Sequence, residues 1–254
     1  MEKIKTFLWF LKRPVMYPQL IYLFKLRLFP NPKEATLKDA TEWCKARAIS
    51  NVEAVNKLFP NHEFVDVAKE FPQEMQEGQK IESSLPVQMG FGGDINLLYN
   101  LAKASKAQKV IETGVAHGWS SMAILLALTD QKTHLISTDM PYPKMGNEEF
   151  VGCVIPDQLK KKWTLIRKPD RQGLKIAFGT NSSIDLCHYD SDKTYVGRKW
   201  AYPLLWKHLN SNGIFISDDI NDNIAFQEFS EELGIEPIIV AFEDKYIGII
   251  PKKS

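Results

Sequence analysis

Five apolar runs in this chain lead into acidic residues, and the first of them also carries two glycines. Residues 110–121, Val-Ile-Glu-Thr-Gly-Val-Ala-His-Gly-Trp-Ser-Ser, pass from an apolar run through a glycine-bearing turn into Met-Ala-Ile-Leu-Leu-Ala-Leu at 122–128. Glycine in such a turn lets the backbone approach a ligand, and a helix starting beyond it offers free N–H groups. The spacing of Gly114 and Gly118 is G-x-x-x-G. It is neither the G-x-G-x-x-G of a dinucleotide site nor the lysine-bearing phosphate loop, and an ordinary tight turn would look the same. The other runs lead to Asp139, Asp170, Asp190 with Asp192, and Asp218-Asp219, while Glu112 closes the first. Asp is common after strands because it favours turns and helix caps. An acid at all five ends is more than turn chemistry needs.

The positions suggest roles. Asp139, after the second run, is placed to accept hydrogen bonds from the ribose hydroxyls of a ligand seated on the glycine turn. Asp170 is a candidate acceptor for an adenine amino group. Asp190, Asp218 and Asp219 would crowd three carboxylates together and so need a cation, and hard oxygen ligands suit Mg²⁺ or Ca²⁺. The competing reading has Asp218 and Asp219 capping a helix that starts near Asn221.

The elements that must hold these residues alternate. Helix 94–106 leads to strand 109–113, helix 119–129 to strand 133–138, then come strand 163–167, a short helix over 171–178 and strand 184–189. Helix 194–209, strand 213–217 and helix 222–233 follow, and strands 236–241 and 245–250 form a terminal hairpin. Such β–α alternation predicts a parallel sheet with helices on both faces and ligands at the carboxyl ends of its strands. Ahead of it, helices 2–12 and 17–29 are hinged at Arg13-Pro14. Capping boxes at Thr36–Asp39 and Ser50–Glu53 open helices running to Ala48 and Phe59, and 64–70 suggests a third. Residues 71–93 read as polar and irregular, ending in a mobile loop, Met89-Gly90-Phe91-Gly92-Gly93.

With 254 residues, 44% hydrophobic and 25% charged, the chain can bury a full core. A net charge of +1 gives no global drive toward nucleic acid. The charge is uneven: residues 1–33 hold seven basic residues and one acid, so the head is +6 and the remainder −5. The apolar, basic head reads as an active-site lid, a homo-oligomer (dimer) arm, or an anchor in peripheral contact with a membrane surface. Three cysteines without a framework fit a reducing compartment, and no stretch spans a membrane, so a cytoplasmic location is expected, with the membrane surface as the variant.

Glu112-x-Gly114-Val115-x-x-Gly118-Trp119-Ser120, Asp139, Asp190-Ser191-Asp192-Lys193 and Asp218-Asp219 together resemble class I S-adenosylmethionine-dependent methyltransferases, over roughly residues 88–251. More narrowly they are similar to metal-dependent O-methyltransferases of the catechol and caffeoyl-coenzyme-A types and to bacterial enzymes that methylate sugars. The resemblance implies that Glu112, Gly114, Gly118 and Ser120 line the methionine end of the cofactor, with His117 beside them, and that Asp139 holds the ribose. It implies that Asp190, Asp218 and Asp219 bind Mg²⁺ or another divalent cation. Two departures stand out: Asp218-Asp219 replaces the Asp-Asn of the catechol type, and Asp-Ser-Asp-Lys replaces the Asp-Gly-Asp-His of the sugar enzymes. The expected fold is α/β, a Rossmann-like doubly wound, mostly parallel sheet of seven strands with an antiparallel C-terminal hairpin. A helical extension over 1–87 precedes a cofactor-binding domain over 88–254.

The implied reaction is O-methylation of a small molecule or sugar. A metal lowers the pKa of the acceptor hydroxyl and a base removes its proton. Lys193, three residues after Asp190, is the base candidate, provided that burial and the cation depress its pKa; otherwise it is a surface lysine. His117 is the second base candidate. A metal-independent N- or O-methyltransferase and a catalytically silent membrane-surface protein are the alternatives.

Overall fold

The computed structural model describes residues 2–90, 92–128, 132–141, 143, 148–180 and 182–253. Phe91 of the glycine loop and Thr129 at the expected end of helix 119–129 lie outside the described residues, as do the side chains of residues 2–5. The strands are β1 (Ala48–Ile49), β2 (Lys109–Thr113), β3 (His134–Thr138), β4 (Trp163–Ile166), β5 (Ile184–Tyr189), β6 (Leu209–Ser217), β7 (Ile238–Phe242) and β8 (Lys245–Pro251). They form one sheet in the order β1-β7-β8-β6-β5-β2-β3-β4, in which only β8 runs antiparallel to its neighbours. The seven expected strands and the terminal hairpin are present. The two-residue β1, too short to leave a sequence pattern, pairs with β7 as an eighth.

Successive residues of the central strands enter different cores, because the side-chain period of a strand is two and helices cover both faces. Val110, Leu135, Leu186 and Ile214 face the layer of α7 (Ile95–Ala104) and α8 (Trp119–Ala127). Ile111, Ile136, Cys187 and Phe215 face α10 (Asp170–Thr180), α11 (Tyr195–His208) and α12 (Ala225–Leu233). Strand order reverses between β2 and β5, with β3 and β4 to one side and β6 to the other. A crevice at the carboxyl ends of the strands is expected there.

The head is α1 (Glu2–Leu11), a 3₁₀ turn over Pro14–Met16, and α2 (Tyr17–Leu28). Next come α3 (Leu37–Lys45), α4 (Asn51–Leu58), α5 (Val67–Glu70) and α6 (Pro72–Ser83); α9 (Asp157–Lys160) precedes β4. The Ser50–Glu53 capping box forms in full. The Thr36–Asp39 box does not: Thr36 Oγ1 donates to the Lys33 carbonyl and accepts from Ile224 N–H at 3.1 Å, so it ties the chain to α12 instead of capping α3. Helix α6 replaces most of the expected irregular stretch; its polar sequence hides an inner face in which Gly78 lies against the Trp119 ring. Among the described residues no helix is long and apolar enough to cross a membrane.

Candidate functional site

The turn after β2 is built by two left-handed glycines, Gly114 (φ +82°) and Gly118 (φ +102°), with Ala116 also at positive φ. A Cβ at Gly114 would overlap the Asp190 carbonyl oxygen, so glycine here lets the ends of β2 and β5 close on each other. Asp139 fixes the turn, its Oδ2 accepting from Val115 N–H (3.0 Å) and Ala116 N–H (3.3 Å) while Oδ1 takes Arg167 Nη1. Burial pushes the Asp139 carboxyl above its ordinary pKa against the pull of Arg167 and the two amides.

Two adjoining cavities flank this turn and share Gly114, Asp139 and Ser191. The first, about 240 Å³, is charged: Gly118, Ser120, His117, Asp190, Lys193 and Lys245 line it beneath a roof of residues 88–90 and 92–93. The second, about 280 Å³, is largely apolar and lies between Met140, Asp170 and Trp200 of the body and Phe10, Tyr22 and Leu26 of the head. Asp170 accepts from Ser191 Oγ (2.5 Å) and Tyr189 OH (3.2 Å), and burial raises it to about 6.

The carboxylates at the ends of β5 and β6 stand together with cations among them. Lys193 Nζ lies 3.1 Å from Asp190 Oδ1 and donates to Asp219, which Lys245 Nζ also reaches at 3.2 Å. Burial pulls the Lys193 ammonium down, but Asp190 and Asp219 outweigh it and hold the group above the ordinary lysine range. The depressed pKa expected for a lysine base is therefore not what this arrangement produces. Burial and the Asp218 charge raise Asp190 to about 6, whereas Asp219, with its two ammonium partners, is lowered against its burial. Beneath them the imidazole of His188 lies between Glu112 (3.5 Å) and Asp218 (3.7 Å); burial pulls it down, but the two carboxylates lift it to about 10. Glu112 is fully buried below the cavity floor, where it accepts from Ser121 and, at 2.7 Å, from Ser137. Arg198, fully buried, donates to the backbone oxygens of Asp218 (3.3 Å) and Asp219 (2.7 Å), and Asp219 sits at φ +51°.

Among the described residues Asp218 Oδ1 is buried with no hydrogen-bond donor, as a metal ligand would be, whereas Asp190 Oδ1 faces the Lys193 ammonium at 3.1 Å. The third carboxylate, Asp219, is taken by two ammonium groups, and among the described residues no three His, Cys, Asp or Glu side chains are grouped to hold an ion. The trio as arranged does not fit a shared divalent cation, because Lys193, Lys245 and His188 already supply the positive charge that three crowded carboxylates require.

Several contributors were not evident in the sequence. Lys245 comes from the start of β8, and a basic residue in a hairpin gives no hint of a carboxylate partner 26 positions earlier. Glu82 of α6 meets His117 Nδ1 at 2.6 Å, leaving Nε2 buried without a partner among the described residues. Gly92 and Gly93 fit under side chains of the site: a Cβ at Gly92 would come within 2.9 Å of Trp119 Cβ, and one at Gly93 within 2.7 Å of Asp218 Oδ2.

Residues 111–220 match a protein family described as a methyltransferase domain. No curated protein matches the sequence significantly. Among solved structures, the chain is similar to an O-methyltransferase of Bacillus cereus in complex with S-adenosylhomocysteine (12% identity, 73% of this chain and 95% of that one, TM-score 0.55). It is similar to an S-adenosylhomocysteine-bound methyltransferase of Podospora anserina (16%, 80% and 95%, TM-score 0.54). A third is an O-methyltransferase of Streptomyces achromogenes involved in tomaymycin synthesis, in complex with S-adenosylmethionine (13%, 76% and 92%, TM-score 0.53). The matched segment carries the glycine turn and all five acidic strand ends, and the sheet around it agrees, so residues 111–220 carry a methyltransferase domain on a Rossmann-like fold.

Proposed function

We propose that the chain transfers a methyl group from S-adenosylmethionine to a hydroxyl of a small molecule or sugar without a divalent metal. The observation that carries this reading is the pair of cavities sharing Gly114, Asp139 and Ser191 at the switch point, one apolar and one charged. Adenosine fits the apolar cavity, with Asp139 and Asp170 at its edge. The sulfonium and the acceptor then meet in the charged cavity beside Gly118, Ser120 and Asp190. Solved relatives described as O-methyltransferases support oxygen as the acceptor atom.

Methyl transfer from a sulfonium is an in-line displacement. The acceptor oxygen forms the C–O bond as the C–S bond breaks, S-adenosylhomocysteine leaves, and the hydroxyl proton must go to a base. Holding oxygen and methyl in line supplies much of the rate. In this proposal Asp190 takes the proton. Lys193 stays charged, holds Asp190 in place and lowers the energy of a developing alkoxide beside it. Residues 88–90, Gly92, Gly93 and Trp119 exclude water.

The expectation of Mg²⁺ dependence gives way here because Asp219 is occupied by Lys193 and Lys245. The test is formation of S-adenosylhomocysteine from a panel of catechols and sugar nucleotides, in EDTA and in Mg²⁺. Equal turnover in both supports the reading. Turnover lost in EDTA and restored by Mg²⁺ would overturn its metal-independent part, and no product from any hydroxyl acceptor would count against oxygen.

A further inference from the structure

The head presents an apolar surface that the body does not cover. Of the thirteen large hydrophobic side chains exposed among the described residues, ten lie between Phe7 and Phe29. Leu28 and Phe29 are 68% and 77% exposed, and Phe24 (48%) meets Phe7 edge-on across the α1–α2 pair, so the patch is continuous over both helices. The opposite side of the head is anchored. Phe10 and Met16 are buried, Tyr22 OH donates to Asp192 Oδ2 at 2.9 Å, and the Arg171 guanidinium lies between the Tyr22 and Trp200 rings at 4.6 and 4.7 Å. A monomeric protein rarely leaves so large a contiguous apolar face in water.

Charge identifies what covers it. Residues 6–33 contain no acid, and Lys12, Lys25 and Arg27 have no ion-pair partner among the described residues. The body has the opposite sign, net −5. A two-fold dimer through this face would set two heads of like charge against each other. An anionic bilayer instead takes the aromatic and aliphatic side chains into its interface and the basic groups at its phosphates. Helix α2, twelve residues and about 18 Å long, is too short for the roughly 30 Å hydrocarbon core and can only lie in the interface.

We infer that the α1–α2 head docks this protein peripherally on anionic membrane surfaces through the patch around Phe24, Leu28 and Phe29 and the flanking Lys25 and Arg27. The inference is independent of the acceptor and of the metal.

The experiment is co-sedimentation of the full chain with phosphatidylcholine vesicles and with vesicles containing phosphatidylglycerol, at low and high salt. Binding is expected to the anionic vesicles, weakened by salt. Removing a basic residue should lower partitioning about five-fold, so Lys25→Glu/Arg27→Glu should lower it roughly 25-fold or more. Phe24→Ser/Phe29→Ser should abolish sedimentation while S-adenosylmethionine binding stays unchanged, which shows that the variant is folded. No sedimentation of the wild type, equal sedimentation with neutral vesicles, or a concentration-dependent dimer that the Phe24→Ser/Phe29→Ser variant disperses would each overturn the inference.

Discussion

Asp219 holds two ammonium groups, and this sets the chemistry open to its neighbours. With Lys193 charged and shared between Asp190 and Asp219, its removal exposes buried carboxylates to one another. Lys193→Met should therefore lower turnover by about 100-fold or more, while the Kd for S-adenosylmethionine changes little; unchanged turnover would remove Lys193 from the reaction. Asp170 offers a pH test. Its folded-state pKa, about 6, exceeds the unfolded value, so the native state holds the proton more tightly. Its contribution to stability is complete below the unfolded pKa, near 4, and is lost as pH rises through about 6. Urea unfolding at pH 4.5 and pH 7.5 should show Asp170→Asn losing less stability across that interval than the wild type; identical changes would contradict the assignment. At this scale the acidic residues were legible because they follow apolar runs. Of their cationic partners only Lys193 was legible, and as a base rather than as a fixed charge. The contacts of Lys245, His188 and Arg198 depend on how distant strands and helices meet, which no local pattern in the sequence records.

The glycine turn and the glycines Gly92 and Gly93 determine whether the cavities close. Gly114→Ala combines a left-handed φ with overlap on the Asp190 carbonyl and should cost at least about 2 kcal/mol, roughly 4 °C or more in Tm for a chain of this size. Gly93→Ala places a methyl against Asp218 and should lift the loop, raising KM for the acceptor with little change in Tm; an unchanged KM would show that the loop does not close over the acceptor. Strands and helices of the body could be read from the sequence because buried runs and helical segments alternate with turn residues. Helix α6 could not, since its composition is polar and what it contributes is a glycine for Trp119 and a carboxylate for His117. The Thr36 pattern misled because its hydroxyl finds a better partner on another element.

At the scale of the whole molecule, an acidic body carries a basic, apolar head over the cavity edge that Phe10 and Tyr22 help to line. The mostly parallel sheet follows from the alternation seen in the sequence, but its strand order does not, and the seating of the head depends on contacts across more than 150 residues, such as Tyr22 with Asp192. Whether the paired cavities hold S-adenosylmethionine is decided by calorimetric titration of the full chain with that cofactor. The structure leads us to expect one-site micromolar binding that is insensitive to EDTA, abolished by Gly114→Ala and weakened by loss of Asp139. Absence of binding to a folded chain would contradict the account at its base.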